Sequence, residues 1–139
     1  MKKILSLLVC IVIVFTFVAC NMESKIELQE SNGIVLLEEY VSPMSGAFCL
    51  KNNSDQELST GRSYIIEEYR NNKWVEIYQP NDMPAESIEI SANSDCIFVE
   101  DWSVGLRSLH PGKYRFIKTN IYSPESGHHY NIACEFEIT

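Results

Sequence analysis

Two adjacent histidines, His128 and His129, are the residues whose type best suits a metal site. The carboxylates that would complete such a site are Asp82, Asp95 and Glu125. Neighbouring residues of a strand point to opposite faces of a sheet, so the pair faces one ion only within a loop. The chain has no His-x-His or His-x₃-His spacing, and His110 stands alone. The sequence therefore predicts a solvated histidine pair and no metal site.

The sequence also lacks the motifs that are typical of catalytic sites. The chain contains neither Gly-x-Ser-x-Gly nor a glycine-rich phosphate loop. Acidic residues do occur in adjacent pairs, namely Glu38-Glu39, Glu67-Glu68 and Glu100-Asp101, but strand geometry sends the two members to opposite faces. An inward member is either functional or a charge at a sheet edge that discourages aggregation. We expect a protein that is not an enzyme, with no catalytic residues and no cofactor.

The five cysteines divide between the N-terminal segment and the folded part. Cys10 and Cys20 belong to the first 20 residues, which leaves Cys49, Cys96 and Cys134. In an exported protein, three cysteines allow either one disulfide and a free thiol or three free thiols. Cys134 shares the buried face of its predicted strand, whereas Cys49 alternates with core residues and is expected to face the other way. A Cys96–Cys134 bridge and three free buried thiols are the alternatives.

The N-terminal segment has the pattern of an export signal. Met1-Lys2-Lys3 is a short basic start, and residues 4 to 19 are apolar except for Ser6 and Thr16. This pattern is typical of a secretory signal peptide, and the run is shorter than the roughly 20 apolar residues that a membrane span needs. We therefore predict a signal peptide over residues 1–19.

Phe17-Val18-Ala19-Cys20 resembles the lipobox of bacterial lipoproteins, in which an apolar residue and small residues precede an invariant cysteine. Phe17 stands where leucine is usual. The resemblance implies cleavage before Cys20, a diacylglyceryl group on its sulfur, and anchoring to the outer face of the bacterial cell membrane through that lipid. Two or more acyl chains anchor a protein stably. An ordinary signal peptide that leaves Cys20 as a free thiol and an uncleaved N-terminal anchor are the alternatives.

Residues 20–32 are predicted to be the lipidated N-terminus and a tether, because residues 21–32 lack a clear period. At roughly 3.3 to 3.6 Å per residue this tether reaches about 40 Å at most. The remaining residues, 33–139, fit one domain with an ample core, since the chain is 45% hydrophobic and 11% aromatic.

The charge balance limits the class of partner. The chain has 11 Lys and Arg against 19 Asp and Glu, which gives a formal charge of −8. Removal of residues 1–19 deletes Lys2 and Lys3 and no acid, so the remaining chain carries −10. Beyond Lys3 there is no basic cluster of the kind that binds phosphates, and nucleic acid is therefore not an expected partner.

From Gly33 onward, short apolar runs alternate with turn residues. Asn71-Asn72 is predicted to be the two-residue turn of a hairpin. Residues 130–138 alternate apolar and polar residues, as expected for an antiparallel strand with one buried face. About seven to nine short strands without helical period predict an all-β fold, an antiparallel β-sandwich.

A turn and a tyrosine suggest which kind of sandwich this is. In immunoglobulin-like sandwiches a tyrosine at the start of a strand bonds back to the backbone upstream and fixes a corner. Here Pro111 and Gly112 supply the turn, Tyr114 follows, and Leu109 is placed to pack beneath it. Phe116 stands where antibody domains have a cysteine, so an apolar inter-sheet core is expected in place of the disulfide. The fold class predicted is an immunoglobulin-like antiparallel β-sandwich.

Over roughly residues 45–138 the chain also resembles the bacterial immunoglobulin-like domains of lipoproteins and membrane-attached proteins from Gram-positive bacteria. The segments that carry the resemblance are residues 50–58, Gly61 with Tyr64, Ile66 and Glu67, Lys73-Trp74, residues 109–118 and Glu135-Phe136. Pro-Gly-Lys-Tyr-Arg at 111–115 is the most specific of these. The family implies a fold and an exported location, and no catalytic residues.

These observations favour a lipid-anchored, non-enzymatic domain that binds a protein or a cell-envelope component. The alternative is a peptidase inhibitor that acts through the loops at residues 79–86 and 123–129, although neither loop contains a recognised inhibitor motif. Four aromatic residues near strand ends or turns could form a ligand-binding patch. We favour the alternative that they pack in the core. They are Trp74, Tyr78, Trp102 and Tyr122.

Overall fold

The computed structural model describes residues 23–31 and 33–139, so the predicted signal peptide and Cys20 lie outside the described residues. The strands are β1 (Ile34–Val41), β2 (Ser45–Asn52), β3 (Leu58–Thr60), β4 (Tyr64–Arg70), β5 (Lys73–Tyr78), β6 (Ile88–Ile90), β7 (Ser94–Asp101), β8 (Gly112–Ser123) and β9 (His128–Ile138). A one-turn helix, α1 (Ser103–Leu106), follows β7. Within the described ranges, no helix is long and apolar enough to cross a bilayer.

The strands form two antiparallel sheets. The small sheet has the order β1-β2-β7, and the large sheet has the order β5-β4-β8-β3-β6 with β9 paired to β8. The prediction of an all-β immunoglobulin-like sandwich of seven to nine strands is confirmed.

Local sequence explains two of these elements directly. Asn71 and Asn72, between β4 and β5, have φ values of 51° and 61°, and asparagine tolerates this left-handed region better than most residues. Two consecutive positive φ angles define the hairpin turn that matches the twist of paired strands. In β9, Ile132, Phe136 and Ile138 are buried as the alternation predicts. The predicted hairpin and the predicted buried face of β9 are both confirmed.

Aromatic stacking joins the two sheets at the centre of the core. Phe48 on β2 and Phe116 on β8 are fully buried, and their ring centroids lie 4.0 Å apart with the planes 10° from parallel. Phe116 also stacks on Tyr64 of β4 at 4.9 Å. Stacked rings bury large apolar areas without a covalent link. The position that holds a cysteine in antibody domains is therefore filled by an apolar contact, as predicted.

Residues 23–31, part of the segment expected to be a tether, are bonded to the large sheet. Glu23 forms an antiparallel bridge with Val75, and the Ser24 amide donates to the Trp74 carbonyl at 2.8 Å. At the other end, the Gln29 amide donates to the Asn131 carbonyl at 3.2 Å. Residues 23–31 thus run from β5 to β9. We call them the N-terminal strap.

The strap lies on the outward face of the large sheet. Ile26 lines a cleft together with the outward residues Tyr69 and Arg115. Ile65 of β4 and Ile117 of β8 are also buried on this face, although neither belongs to the core between the sheets. A strap over these two strands explains how positions pointing away from the main core are shielded from water.

Candidate functional site

The outward face of the small sheet is covered by apolar side chains. In one cross-strand row Leu37 pairs with Cys49 and Cys49 with Ile97, and in the next Tyr40 pairs with Ala47 and Ala47 with Val99. Val35 begins a third row. Tyr40 and Ile97 are each 59% exposed and Val99 is 72% exposed. We call the set Val35, Leu37, Tyr40, Ala47, Cys49, Ile97 and Val99 the apolar face.

Acidic residues border this face. Glu39 on β1 and Asp95 and Asp101 on β7 are exposed. Lys51 is the one cation on the three strands of this sheet, and its Nζ lies 3.9 Å from the Asp95 carboxylate. The face is therefore an apolar surface with a negative rim, an arrangement that suits a binding surface better than a catalytic site.

Cys49 lies in the middle of the apolar face, on the opposite side of β2 from Phe48, as predicted. Its cross-strand neighbours Leu37 and Ile97 leave it only 3% exposed. Burial raises the pKa of the Cys49 thiol, and the carboxylates of Asp95 and Glu39 raise it further. Because the thiolate is the reactive form, this thiol is a small apolar packing group rather than a nucleophile.

The four predicted corner residues lie together at the start of β8. The Tyr114 hydroxyl donates a hydrogen bond to the His110 carbonyl at 2.6 Å, and the Tyr114 ring stacks on Phe136 with centroids 5.6 Å apart. Leu109 is buried in the core, and Pro111 and Gly112 complete the turn into the strand. The contribution of this corner to stability stays a prediction.

The residues considered for metal binding do not converge. His129 packs against the ring of Tyr122 at 4.7 Å, whereas His128 lies 6.3 Å from the ring of Tyr130. Within the described residues, no three His, Cys, Asp or Glu side chains form a group suited to a metal ion. The structure has Cys49, Cys96 and Cys134 as free thiols, and burial raises the pKa of each.

A lysine inside the sandwich was missed by the sequence analysis. Lys118 on β8 is fully buried, and its Nζ donates to the carbonyls of Gly61 at 2.6 Å and Ser63 at 3.1 Å. The same Nζ lies 4.3 Å from the ring centroid of Phe98. Burial lowers the pKa of Lys118 to about 8, and the Glu100 carboxylate opposes part of that shift. The amine fixes the segment before β4 and is closed to substrates.

The acidic pairs point to opposite sides, as expected. Glu100 is buried while Asp101 is exposed, and burial raises the pKa of Glu100. Glu67 is fully buried on the outward face of the large sheet, where Arg115 Nε donates to it at 2.5 Å. Glu67 and Glu100 belong to different sheets, so the two buried acids do not form a general acid and base pair.

The loops considered for peptidase inhibition leave the large sheet at different places. Residues 79–86 lie between β5 and β6, and the Glu86 carboxylate accepts a bond from Arg62 Nε at 2.7 Å. Residues 123–129 join β8 to β9 and are closed by a bond from the Gly127 amide to the Ser123 carbonyl at 2.8 Å. Nothing in these contacts favours inhibition over an ordinary connection.

The four aromatic residues considered as a ligand patch are dispersed. Trp102 is fully buried and Tyr78 packs against the core, as expected. Tyr122 packs against His129 beside the β8–β9 turn, with the ring planes tilted by 32°. Trp74 departs from the expectation, because it lies outside the core, 5.0 Å from the ring of Tyr69.

Comparisons with known proteins agree with this architecture. Residues 34–137 match a family model described as a bacterial Ig-like domain. The chain is similar to an X-ray structure of the Northeast Structural Genomics Consortium target SoR45, with 20% identity, a TM-score of 0.50 and coverage of 80% of this chain and 89% of that one. It is also similar to the Pseudomonas fluorescens alkylpurine DNA glycosylase AlkC bound to DNA containing an abasic site analogue, with 10% identity, a TM-score of 0.38 and coverage of 79% and 31%. At 20% identity, the likeness to the SoR45 structure concerns the fold alone. Curated proteins give no match.

Proposed function

Because the chain belongs to the family of bacterial Ig-like domains, we propose that it is a lipid-anchored, extracytoplasmic and non-enzymatic module that binds another protein through the apolar face. Domains of this family are usually extracellular and typically non-catalytic. The observation that carries the binding role is the contiguous exposure of Leu37, Tyr40, Ile97 and Val99. Large exposed apolar patches bordered by polar residues mark interaction sites.

The charges around the apolar face select the chemistry of the partner. Glu39, Asp95 and Asp101 give the rim a negative sign that Lys51 offsets only in part. A second copy of the chain, docked face to face, would bring two acidic rims together, and like charges across an interface are unfavourable. The expected partner is therefore a different protein whose apolar patch is bordered by Lys and Arg.

Lipid anchoring is supported by the Phe17-Val18-Ala19-Cys20 pattern and the apolar run before it. Replacing Cys20 by serine removes the sulfur that would carry the diacylglyceryl group. We expect Cys20→Ser to abolish labelling by radioactive palmitate and to release the protein from the membrane fraction. Cys49→Ser is the matched control, since it removes a thiol of the folded domain and leaves the labelling intact. Equal labelling of wild type and Cys20→Ser would contradict the anchoring.

Partner binding is tested by site-specific photo-crosslinking in intact cells with the full chain. A photoreactive amino acid at position 97 or 99 lies on the apolar face, and one at position 104 is the matched control. Val104 in α1 is equally apolar and 96% exposed, but it lies outside the apolar face. We expect one discrete adduct from positions 97 and 99 and none from position 104. Asp95→Lys, which reverses a rim charge, should weaken that adduct.

Three outcomes would contradict this binding role. They are adducts of equal yield from position 104, an adduct whose second component is the chain itself, and no adduct from the apolar face under several growth conditions. Peptidase inhibition stays an alternative without a structural observation in its favour, and a panel of proteases assayed with the purified protein tests it.

A further inference from the structure

The outward face of the large sheet carries an aromatic and cationic cluster where the N-terminal strap begins. The rings of Tyr69 and Trp74 lie 5.0 Å apart, and the Arg115 guanidinium carbon is 4.5 Å from the Trp74 centroid. Lys113 Nζ is 5.3 Å from the ring of Tyr69 and 5.6 Å from that of Trp74. We call Tyr69, Trp74, Lys113 and Arg115 the interface cluster. We infer that it lies in the phospholipid headgroup layer of the membrane, an inference that rests on the proposed lipid anchoring at Cys20.

Chain length limits how far the anchor is from this cluster. Glu23 is held by its bridge to Val75, and the Ser24 amide is bonded to the Trp74 carbonyl at 2.8 Å. Cys20 precedes Glu23 by three residues, so its Cα lies within roughly 11 Å of that of Glu23 even in a fully extended chain. A lipid on Cys20 therefore keeps the β5 side of the domain at the bilayer surface.

The apolar face is excluded as the membrane contact by the same distance. It belongs to the outward side of the small sheet, whereas the strap occupies the outward side of the large one. Packed sheets are about 10 Å apart, and the side chains on the two outer faces add to that thickness. The three residues from Glu23 to Cys20 are too few to reach from the β5 edge to the apolar face on the other side of the sandwich.

The chemistry of the cluster fits a lipid surface. Tyr and Trp concentrate at the membrane–water interface, where their rings are partly buried and their polar groups stay hydrated. Long Lys and Arg side chains place their charges at the same level. Lys113 and Arg115 are paired with Glu135 and Glu67. The pairing reduces the net charge, so contact with headgroups does not require a large positive surface.

One further cation at this end is available to a phosphate. Lys73 follows the β4–β5 turn and makes no ion pair within 4.0 Å among the residues that the structure describes. It lines, with Ile26, Trp74 and Arg115, the cleft between the strap and the hairpin.

Tryptophan fluorescence tests this placement, because the chain has two tryptophans with different environments. Trp74 belongs to the interface cluster, whereas Trp102 is fully buried and its Nε1 donates to the Pro43 carbonyl at 2.9 Å. The lipidated protein would be reconstituted into vesicles of phosphatidylcholine and phosphatidylglycerol whose acyl chains are brominated near the headgroup. We expect these lipids to quench the emission of Trp74, and Trp74→Phe to leave only the unquenched emission of Trp102.

Flotation of the same vesicles tests the lipid anchor separately from the placement of the interface cluster. Protein that floats and shows no difference in quenching between wild type and Trp74→Phe would overturn the inference while leaving the lipid anchor intact. Protein that fails to float would contradict the anchoring and with it the inference. Near-ultraviolet circular dichroism checks that Trp74→Phe is folded. Iodide in the aqueous phase gives a second readout. It should quench the tryptophan emission of vesicle-bound wild type less than that of the Cys20→Ser protein in solution without detergent.

Discussion

Lys118 imposes a measurable pH dependence on the stability of the sandwich. Its ammonium is buried beside Phe98 with two carbonyls as hydrogen-bond partners, and burial lowers its pKa from the ordinary 10.5 to about 8. Between these two values the unfolded chain binds a proton that the folded chain has released. Stability rises with pH wherever the unfolded state binds more protons, so the Lys118 contribution increases from pH 8 to pH 10.5.

The size of the effect follows from the pKa difference. At about 1.36 kcal/mol per pKa unit, the interval between about 8 and 10.5 corresponds to about 3 kcal/mol of unfolding free energy. Below pH 8 the amine is protonated in both states and the folded chain carries the full cost of the buried charge. Above 10.5 it is neutral in both states and that cost has gone.

The perturbation that isolates this term is Lys118→Met, which keeps a long unbranched side chain and removes the titrating amine. The groups that face Lys118 are Glu100, Cys96 and Arg62. Burial raises the pKa of the Cys96 thiol and of the Tyr64 hydroxyl, so both oppose the trend at high pH. They are present in both proteins, and their effects largely cancel in the difference between wild type and variant.

Urea unfolding at a series of pH values, followed by the fluorescence of Trp74 and Trp102, measures this difference. We expect the stability of wild type relative to Lys118→Met to increase by about 3 kcal/mol from pH 7 to pH 10.5. Lys51→Met is the matched control, because the Lys51 side chain is 39% exposed on the outward face of the small sheet. The change for Lys118→Met should exceed that for Lys51→Met, and equal changes for the two variants would refute the reasoning.

Three further predictions concern the corner, the core and the thiols. Tyr114→Phe removes the hydroxyl that bonds to the His110 carbonyl and should lower the unfolding free energy by roughly 1 to 3 kcal/mol in urea titrations, and a negligible change would remove the role of the corner. Gly46→Ala should cost about 1 to 3 kcal/mol in the same assay, because a Cβ there would lie 2.8 Å from the Trp102 ring and 2.9 Å from Phe48, and unchanged stability would show that the rings move freely. Alkylation of the unfolded, unreduced protein should modify Cys49, Cys96 and Cys134, and protection of any two in the mass spectrum would indicate a disulfide.

Much of the fold was predictable because local patterns determine it. The alternation in β9 identified a buried and an exposed face, and Asn71-Asn72 identified a hairpin turn that requires left-handed backbone angles. Pro111 and Gly112 located the turn into β8. Each of these signals lies within about ten residues of sequence and needs no knowledge of distant pairing.

The candidate binding surface was not predictable in the same way. Leu36 and Leu37 are adjacent and both apolar, as are Phe98 and Val99, so the sequence does not show which member faces the core. Only the pairing of β1 and β7 with β2 places Leu37, Ile97 and Val99 on one outward surface. When an edge strand has apolar residues at both odd and even positions, both of its faces are apolar. This pattern would have indicated an exposed apolar sheet face.

The strap escaped prediction for a related reason. Residues 23–31 have no regular period, because they are held by bonds to residues of β5 and β9 that are about 50 and about 100 positions away in the sequence. Ile65 beside Ile66, and Ile117 beside Phe116, are buried on both sides of their strands. Two consecutive buried residues in the centre of a strand indicate that a second layer covers the outer face, and the strap is that layer.

Under the proposed lipid anchoring, the positions of the strap and the apolar face would place the two sheets in different surroundings. If residues 23–31 were a free tether, the domain would turn in all directions at the membrane and either sheet would meet the lipid. Because the strap is bonded to Trp74 and Asn131, an anchor at Cys20 keeps the large sheet toward the bilayer. In that orientation the small sheet would face the aqueous side, where exposed Ile97 and Val99 would be open to the proposed protein partner. The orientation set by the strap thus supports protein rather than lipid as the ligand of the apolar face.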